Sequence, residues 1–334
     1  PCTNPSETIV CNGIGMIAGG NSVVFNPHPA AKETSAFTVR LLNKAIAAVG
    51  GPRNLLCSIA EPTQESAGEM MKHPKVRLVV VTGGGGVVKA AMNSGKKAIC
   101  AGPGNPPVVV DETADIAKAG KDIVAGASLD NNIICVDEKE VIAVESVADR
   151  LKAEMKAHGA HELAGRDIER LTNLVIKQRN APPHESVVEK KWVGKDAAVI
   201  LKELGIGAPP ETRLVLVDVG RDHPLLWTEQ LMPVLPMTRA GNVDEAIDLA
   251  LEMEHGYRHT ASMFSRNIEK LSKMARLVNC SIFVKNGSNG CGLGLGGEGY
   301  TSFTIASPTG EGLTSAKDFT RVRRCTLVDY FRIV

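Results

Sequence analysis

The sequence predicts an α/β protein: a doubly wound parallel sheet followed by a second α/β unit. Short runs of Val, Ile and Leu recur as continuous apolar blocks, which strands buried on both faces require. Between them lie stretches with apolar residues three and four apart, the spacing of one helix face, and these end at glycine or proline. The length supports the same reading: 334 residues, 43% of them apolar and 33 of them glycine, exceed one ordinary domain and can fill a core.

In chain order, Asn4, Pro5 and Glu7 form a helix start, as N-cap, first helical position and third. Ser22 to Asn26 reads as a strand closed by Pro27 and Pro29. A helix follows with Phe37, Leu41, Leu42, Ala45, Ile46 and Val49 on one face, stopped by Gly50 and Gly51. Leu55 to Ala60 is a second strand, Thr63 to Lys72 a second helix, and Arg77 to Thr82 a third strand that runs into Gly83, Gly84, Gly85 and Gly86. A short helix reaches towards Asn93, and Lys97 to Cys100 forms a fourth strand. Such sheets hold ligands at the carboxyl ends of their strands. From Gly102 to Pro107 the chain is rigid punctuation, and a new unit opens. Its strands are expected at Val108–Val110, Val141–Val144, Arg213–Val219, Thr260–Phe264 and Ser281–Val284, with a helix from about Thr113 to Ala125. Gln178 to Gly194 reads as an exposed connection, and Thr326 to Val334 as a terminal strand that favours an oligomer.

Charge and cysteine usage narrow the function. With 38 basic and 37 acidic residues the net charge is +1, so neither nucleic acid nor a membrane surface is an expected partner. No run approaches the roughly 18 apolar residues of a membrane span, and the first residues lack a signal-peptide pattern. The eight cysteines include no C-x-x-C pair, which suits a reducing compartment. The chain opens at Pro1, so a processed or clipped piece of a longer product is expected.

Four features could carry chemistry. Cys135 reads either as a buried hydrophobe beside Ile133 and Ile134 or as a nucleophile, and its spacing alone does not decide. The Asn4 amide either starts a helix or donates to a developing oxyanion. The glycine run after Thr82 either turns the chain or admits phosphates to bare N–H groups; it lacks the G-x-G-x-x-G pattern. His255 and His259 are four apart, but Gly256 interrupts them and no carboxylate pattern completes a metal site, so surface or capping roles are expected.

Taken together, these stretches resemble the aldehyde dehydrogenase family, in its coenzyme A-acylating branch. The nearest likeness is to the propanediol- and ethanolamine-utilisation enzymes of bacterial microcompartments. The matching segments run in order: TNP at 3–5, SVVFNPHPAAK at 22–32, VVVTGG at 79–84, AGPGNPPVVVDETAD at 101–115, SLDNNIICVDEK at 128–139, EQLMPVLP at 229–236, EHGYRHTA at 254–261 and TGEGLTSAKDFTRVRRCTL at 309–327. The resemblance implies a cofactor-binding domain over 1–104 (its carboxyl-terminal part), a catalytic domain over 105–312 and a C-terminal segment with an oligomerisation strand over 313–334. It makes Cys135 the nucleophile and Asn4, with the Cys135 N–H, the oxyanion holder. Asn26, Pro27, His28, Thr82, Gly83, Gly84, Val87, Glu229 and Leu231 are implied to line the cofactor, with Glu229 on the nicotinamide ribose.

The departures are informative. The hydrolytic branch places a glutamate before a Gly-Gly-Lys-Ser-Pro-like segment to activate water; the matching position here is Ala101, which cannot act as a base. The thioester on Cys135 is then left for another thiol. Asn26 stands where the hydrolytic branch usually has a lysine near the adenosine ribose. The family also has a segment ahead of the TNP motif, where many microcompartment relatives carry a targeting peptide. The expectation is an enzyme that converts propionaldehyde or acetaldehyde, NAD and coenzyme A to acyl-CoA and NADH. It implies a homodimer or homotetramer in the cytoplasm, within a microcompartment and against its shell, and no resident metal. The alternatives are a hydrolytic enzyme with Glu229 or Glu138 as base, or an inactive assembly piece.

Overall fold

The protein, seen in a computed structural model that describes residues 1–328, opens with helix α1 (Pro5–Ala18). Strand β1 (Val23–Phe25), helix α2 (Lys32–Ala48), strand β2 (Leu56–Ser58) and helix α3 (Gln64–Lys72) follow. Strand β3 (Leu78–Thr82), helix α4 (Gly85–Met92) and strand β4 (Lys97–Ala101) complete the first region. Its strands are parallel, as expected, but they form two pairs, β1 with β2 and β3 with β4, and no ladder joins the pairs among the described residues. One apolar cluster still spans both, with Ile9, Val23, Val39, Leu56 and Ile99. The face of α2 is narrower than expected. Val39, Leu42 and Ile46 reach that cluster, whereas Phe37 and Leu41 form the next stripe round the helix and stay exposed.

The second region is built on a seven-stranded parallel sheet, counted among the described residues. It is introduced by β5 (Pro107–Val110), α5 (Ile116–Ala127), β6 (Glu140–Val144), α6 (Glu145–Ala157), β7 (Ala160–Leu163) and α7 (Arg166–Val175). A small hairpin, β8 (Ile176–Gln178) with β9 (Val187–Val188), leads to α8 (Ala197–Glu203). The sheet is completed by β10 (Leu214–Asp218), β11 (Val234–Ala240), α9 (Val243–Met253), β12 (Thr260–Phe264), α10 (Ile268–Val278) and β13 (Ile282–Lys285). Its order is β13-β12-β5-β6-β11-β10-β7. Val108, Val109 and Val110 have no exposed surface, so both faces are covered. Helix starts follow local chemistry: Asp115 accepts the Lys118 N–H, and Asn242 and Asn267 each accept two N–H groups of the first turn. The first of these caps delays α5 until Ile116.

Two sequence readings change. Gln178 to Gly194 is only partly an exposed connection. It holds the hairpin, buries Trp192, and anchors Ser186, whose N–H donates to Thr228 Oγ1 at 3.0 Å. Six residues of the expected Thr326–Val334 strand, 329–334, lie outside the described residues, and 326–328 carry no regular structure. Late residues also return to the first region. Thr304 shares a hydrogen bond with Thr82 at 2.8 Å, and Phe319 packs in the cluster with Ile9 and Met16.

Candidate active site

The segment before Cys135 has an unusual backbone. Asp130, Asn131 and Asn132 are three consecutive non-glycine residues with positive φ, at 45°, 52° and 62°. Each such residue costs about 1–3 kcal/mol unless its surroundings enforce it. They do. Asn132 Nδ2 donates to Ala127 O (2.8 Å) and Glu138 O (2.9 Å), and Asn131 Nδ2 donates to Asp196 Oδ1 (2.7 Å). The Ile134 N–H donates to Asp137 Oδ2 at 3.1 Å. Asparagine is the residue that tolerates left-handed backbone and bonds its own neighbourhood, which explains the Asn-Asn pair.

Cys135 emerges from this turn partly exposed, packed beside Ile134, Val136 and Cys291. Burial, and then the Glu229 carboxyl, push its thiol up to about 12, while the Lys139 ammonium pulls the other way. It is a neutral thiol in the free protein.

Asn4 is buried, and its side chain does not cap α1. It crosses instead to the nucleophile turn, where Nδ2 donates to Asp130 Oδ2 at 3.4 Å. The helix-start reading therefore accounts for Pro5 and Glu7 but not for the Asn4 amide. Glu229 is felt by Cys135 and accepts from the Gly104 N–H; burial pushes its carboxyl up to about 7. Gly104 is a glycine because of close approach: a Cβ there would come within 2.9 Å of His259 Cγ and 3.0 Å of the Cys135 carbonyl oxygen. Leu231 sits beside Glu229 with φ 56°.

Glu138, the other candidate base, faces away from any cleft. Its Oε1 accepts the Asn289 N–H at 2.8 Å, and its carboxyl fills the space over Gly126, where a Cβ would collide with it. The surface or capping role expected for His259 is also overturned. It is buried at 1% exposure, its Nδ1 pairs with Thr260 Oγ1 at 2.8 Å, and its Nε2 has no partner. Burial holds it down to about 4, so the ring is neutral.

The residues expected to line the cofactor phosphates form a separate group at strand ends. Thr82 closes β3, Gly84 precedes α4, and Val87 lies exposed in its first turn. A Cβ on Gly83, Gly84, Gly85 or Gly86 would meet nothing within 4 Å, and none of the four has positive φ. Neither backbone conformation nor packing calls for glycine there. What the run does leave is bare N–H groups at a helix start, open to a phosphate. The residues present therefore fit a dinucleotide. Asn26, at the end of β1, accepts from Ser66 Oγ at 2.6 Å and so ties itself to the start of α3. Pro27 follows it, and His28 is exposed, its Nδ1 accepting the Ala30 N–H at 3.1 Å.

Sequence reasoning missed the buried polar shell around the nucleophile. Asp137, Glu138, Lys139 and Glu140 are four consecutive charged residues with at most 1% exposure. Such a run ordinarily marks a solvated loop. The one usable sign was its position between two apolar runs.

Comparison with known proteins fits this geometry. Residues 4–319 match the aldehyde dehydrogenase family. An acetaldehyde dehydrogenase (acetylating) of Bilophila wadsworthia is 54% identical over 341 residues, covering all of this chain and 70% of that protein. A propionaldehyde dehydrogenase of Rhodopseudomonas palustris, solved with bound propionyl-CoA, superposes with a TM-score of 0.93 at 52% identity, over 97% of this chain and 71% of that one. A propionaldehyde dehydrogenase from the fucose utilisation microcompartment of Clostridium phytofermentans gives 0.95 at 47% identity, over all of this chain and 75% of that one. A strained turn presenting a thiol, an open glycine run at a strand end and this likeness lead to one conclusion: the chain belongs to the aldehyde dehydrogenase family.

Proposed function

We propose that this chain oxidises a short-chain aldehyde, propionaldehyde or acetaldehyde, with NAD, and passes the acyl group through a cysteine thioester to coenzyme A. Relatives named as acetaldehyde dehydrogenase (acetylating) and propanal dehydrogenase (CoA-propanoylating), at 52% and 47% identity, support the reaction class. So does the R. palustris enzyme solved with bound CoA and an acylated cysteine.

On this reading Cys135 Sγ adds to the aldehyde carbon and gives up its proton to water. The new oxyanion is held by the Asn4 amide, released from Asp130, and by the Cys135 N–H. NAD, when bound, accepts the hydride from that carbon. Thr82, Gly83, Gly84 and Val87 line the phosphate side, with Asn26, Pro27 and His28 at the end of β1. Glu229 takes the nicotinamide ribose and Leu231 packs beside it. Loss of the hydride restores the carbonyl and leaves a thioester on Cys135. Cys135 then yields its acyl group to the coenzyme A thiol and recovers a proton.

The observation that carries the acylating reading is Ala101, a buried methyl (3% exposed) at the end of β4. A methyl takes no proton from water, so the thioester waits for a thiol. The test is product analysis. Acyl-CoA should form with coenzyme A present, and free acid should be slow without it; equal acid yield in both cases would sink the reading. We further propose that the enzyme works inside a microcompartment, on the likeness to the C. phytofermentans enzyme, and as a homodimer or homotetramer, as the family resemblance implies. Light scattering and co-purification with shell fractions test this. No described helix is long and apolar enough to cross a membrane.

A further inference from the structure

Lys139 is a charged side chain with no exposed surface, seated directly behind the nucleophile. Its Nζ donates to Asn132 O at 2.9 Å, to Asn132 Oδ1 at 2.7 Å and to Ile134 O at 3.1 Å. Three N–H groups meet three oxygens, so the ammonium is fully satisfied by neutral acceptors. Those acceptors belong to the last left-handed residue and to the residue immediately before Cys135. The Lys139 N–H donates to Pro106 O at 3.0 Å, which fixes the base of the lysine to the start of β5. A neutral donor could tie the same turn without the desolvation cost of a buried cation. The retained charge therefore points to a role in chemistry as well as shape.

We propose that Lys139 is the positioning residue of the nucleophile: caged by Asn132 and Ile134, it fixes the left-handed turn that presents Cys135 and sets a buried positive charge against that turn, and so governs the rate of thioester formation. The inference rests on Cys135 being the nucleophile. The charge acts among several acids. Asp130 lies on the turn, and Asp137, Glu138 and Glu140 flank Lys139 in sequence. Glu229 lies before β11 and, beyond it, Glu185 lies between β8 and β9, while Glu254 and His259 follow α9. Lys139 favours the ionised form of Asp137, Glu138, Glu140 and Glu229 and disfavours charge on His259. Of the charged groups that Cys135 senses, Lys139 is the one that favours its thiolate.

The experiment uses the full protein and two readouts: the first-turnover NADH burst with propionaldehyde, and iodoacetamide alkylation of Cys135, mapped by peptide mass and followed as a rate from pH 8 to 12, where the thiol begins to ionise. Lys139→Met keeps the length and loses the charge. The burst should slow about 100-fold with the aldehyde KM little changed, and the alkylation profile should move to higher pH. A merely structural lysine would lower the melting temperature and leave that profile in place. Asn132→Gly keeps the charge and permits the left-handed backbone, while removing one acceptor of the ammonium and the two amide donations to Ala127 O and Glu138 O. It should slow the burst roughly 10-fold without moving the profile. Should Lys139→Met fail to fold, an unchanged burst in Asn132→Gly overturns the proposal. An unmoved profile in folded Lys139→Met overturns it as well. Cys135→Ser separates the two readings: NADH formation persisting there removes the nucleophile itself, whereas a dead Cys135→Ser beside an unaffected Lys139→Met removes only the role of Lys139.

Discussion

The turn that carries Cys135 and the glycine run solve opposite problems. Residues 130–140 are over-determined: strained backbone, buried charges and side-chain amides that each hold two or more partners. Residues 83–86 are under-determined: ordinary φ, open space at every Cβ position and exposure rising from Gly84 onward. A reacting atom must be held to within fractions of an ångström, so its surroundings are crowded. A phosphate must approach bare backbone, so its surroundings are cleared. A substitution in the first region should therefore act on the rate of chemistry, and one in the second on cofactor affinity.

The largest expected effect is at the sulfur. Cys135→Ala should abolish NADH formation while the fold persists, because Cys135 is only partly buried and leaves a small gap. Circular dichroism with a single-turnover assay checks both halves. Next is Asn4→Ala, which removes one oxyanion donor and should lower kcat by about 10²–10³ with the aldehyde KM nearly unchanged. The helix-start role leaves the amide without a cap bond, so little loss of helix stability accompanies it. A stability loss without a kcat loss would return Asn4 to a structural role.

That contrast also marks what the sequence could disclose. Strands such as Val141–Val144 and Leu78–Thr82 were legible because continuous apolar runs have few alternatives. Cys135 and Asn4 were singled out only through ordered resemblance, since one thiol among eight and one N-cap asparagine carry no signal by themselves. The buried shell was illegible. Asp137, Glu138, Lys139 and Glu140 look like solvent-facing charge, and only tertiary packing puts them in the interior. The separation of the first-region strands into two pairs was equally hidden, because pairing partners are not encoded in local pattern.

The buried shell predicts a pH dependence. Burial holds Glu138 up to about 7 against an ordinary 4.5, so the folded form binds its proton more tightly. That contribution to stability is complete below pH 4.5 and is lost as pH rises through 7. Glu229 and Glu254, also raised to about 7, have the same sign. His259, held down to about 4, opposes them only between pH 4 and 6.5. Above pH 6.5 His259 no longer opposes the carboxyls, and chemical denaturation should show stability falling towards pH 8. Glu138→Gln should flatten that fall, by about 1 kcal/mol or less. An unaltered slope would mean that Glu138 is ionised in the folded protein throughout.

The smallest effect is the sharpest test of the cleared region. Gly85 is the first residue of α4, its φ is ordinary, and an added Cβ meets nothing within 4 Å. Alanine there suits the helix better than glycine, by up to about 1 kcal/mol. Gly85→Ala should therefore leave the melting temperature unchanged or slightly higher. The new methyl stands where a phosphate would approach the first-turn N–H groups, so KM for NAD should rise roughly 3- to 10-fold with kcat held. The two results pull apart what a glycine does for a fold from what it does for a ligand. A stabilised variant with unchanged NAD affinity would move the phosphate site away from α4, because no folding defect would be present to explain the result.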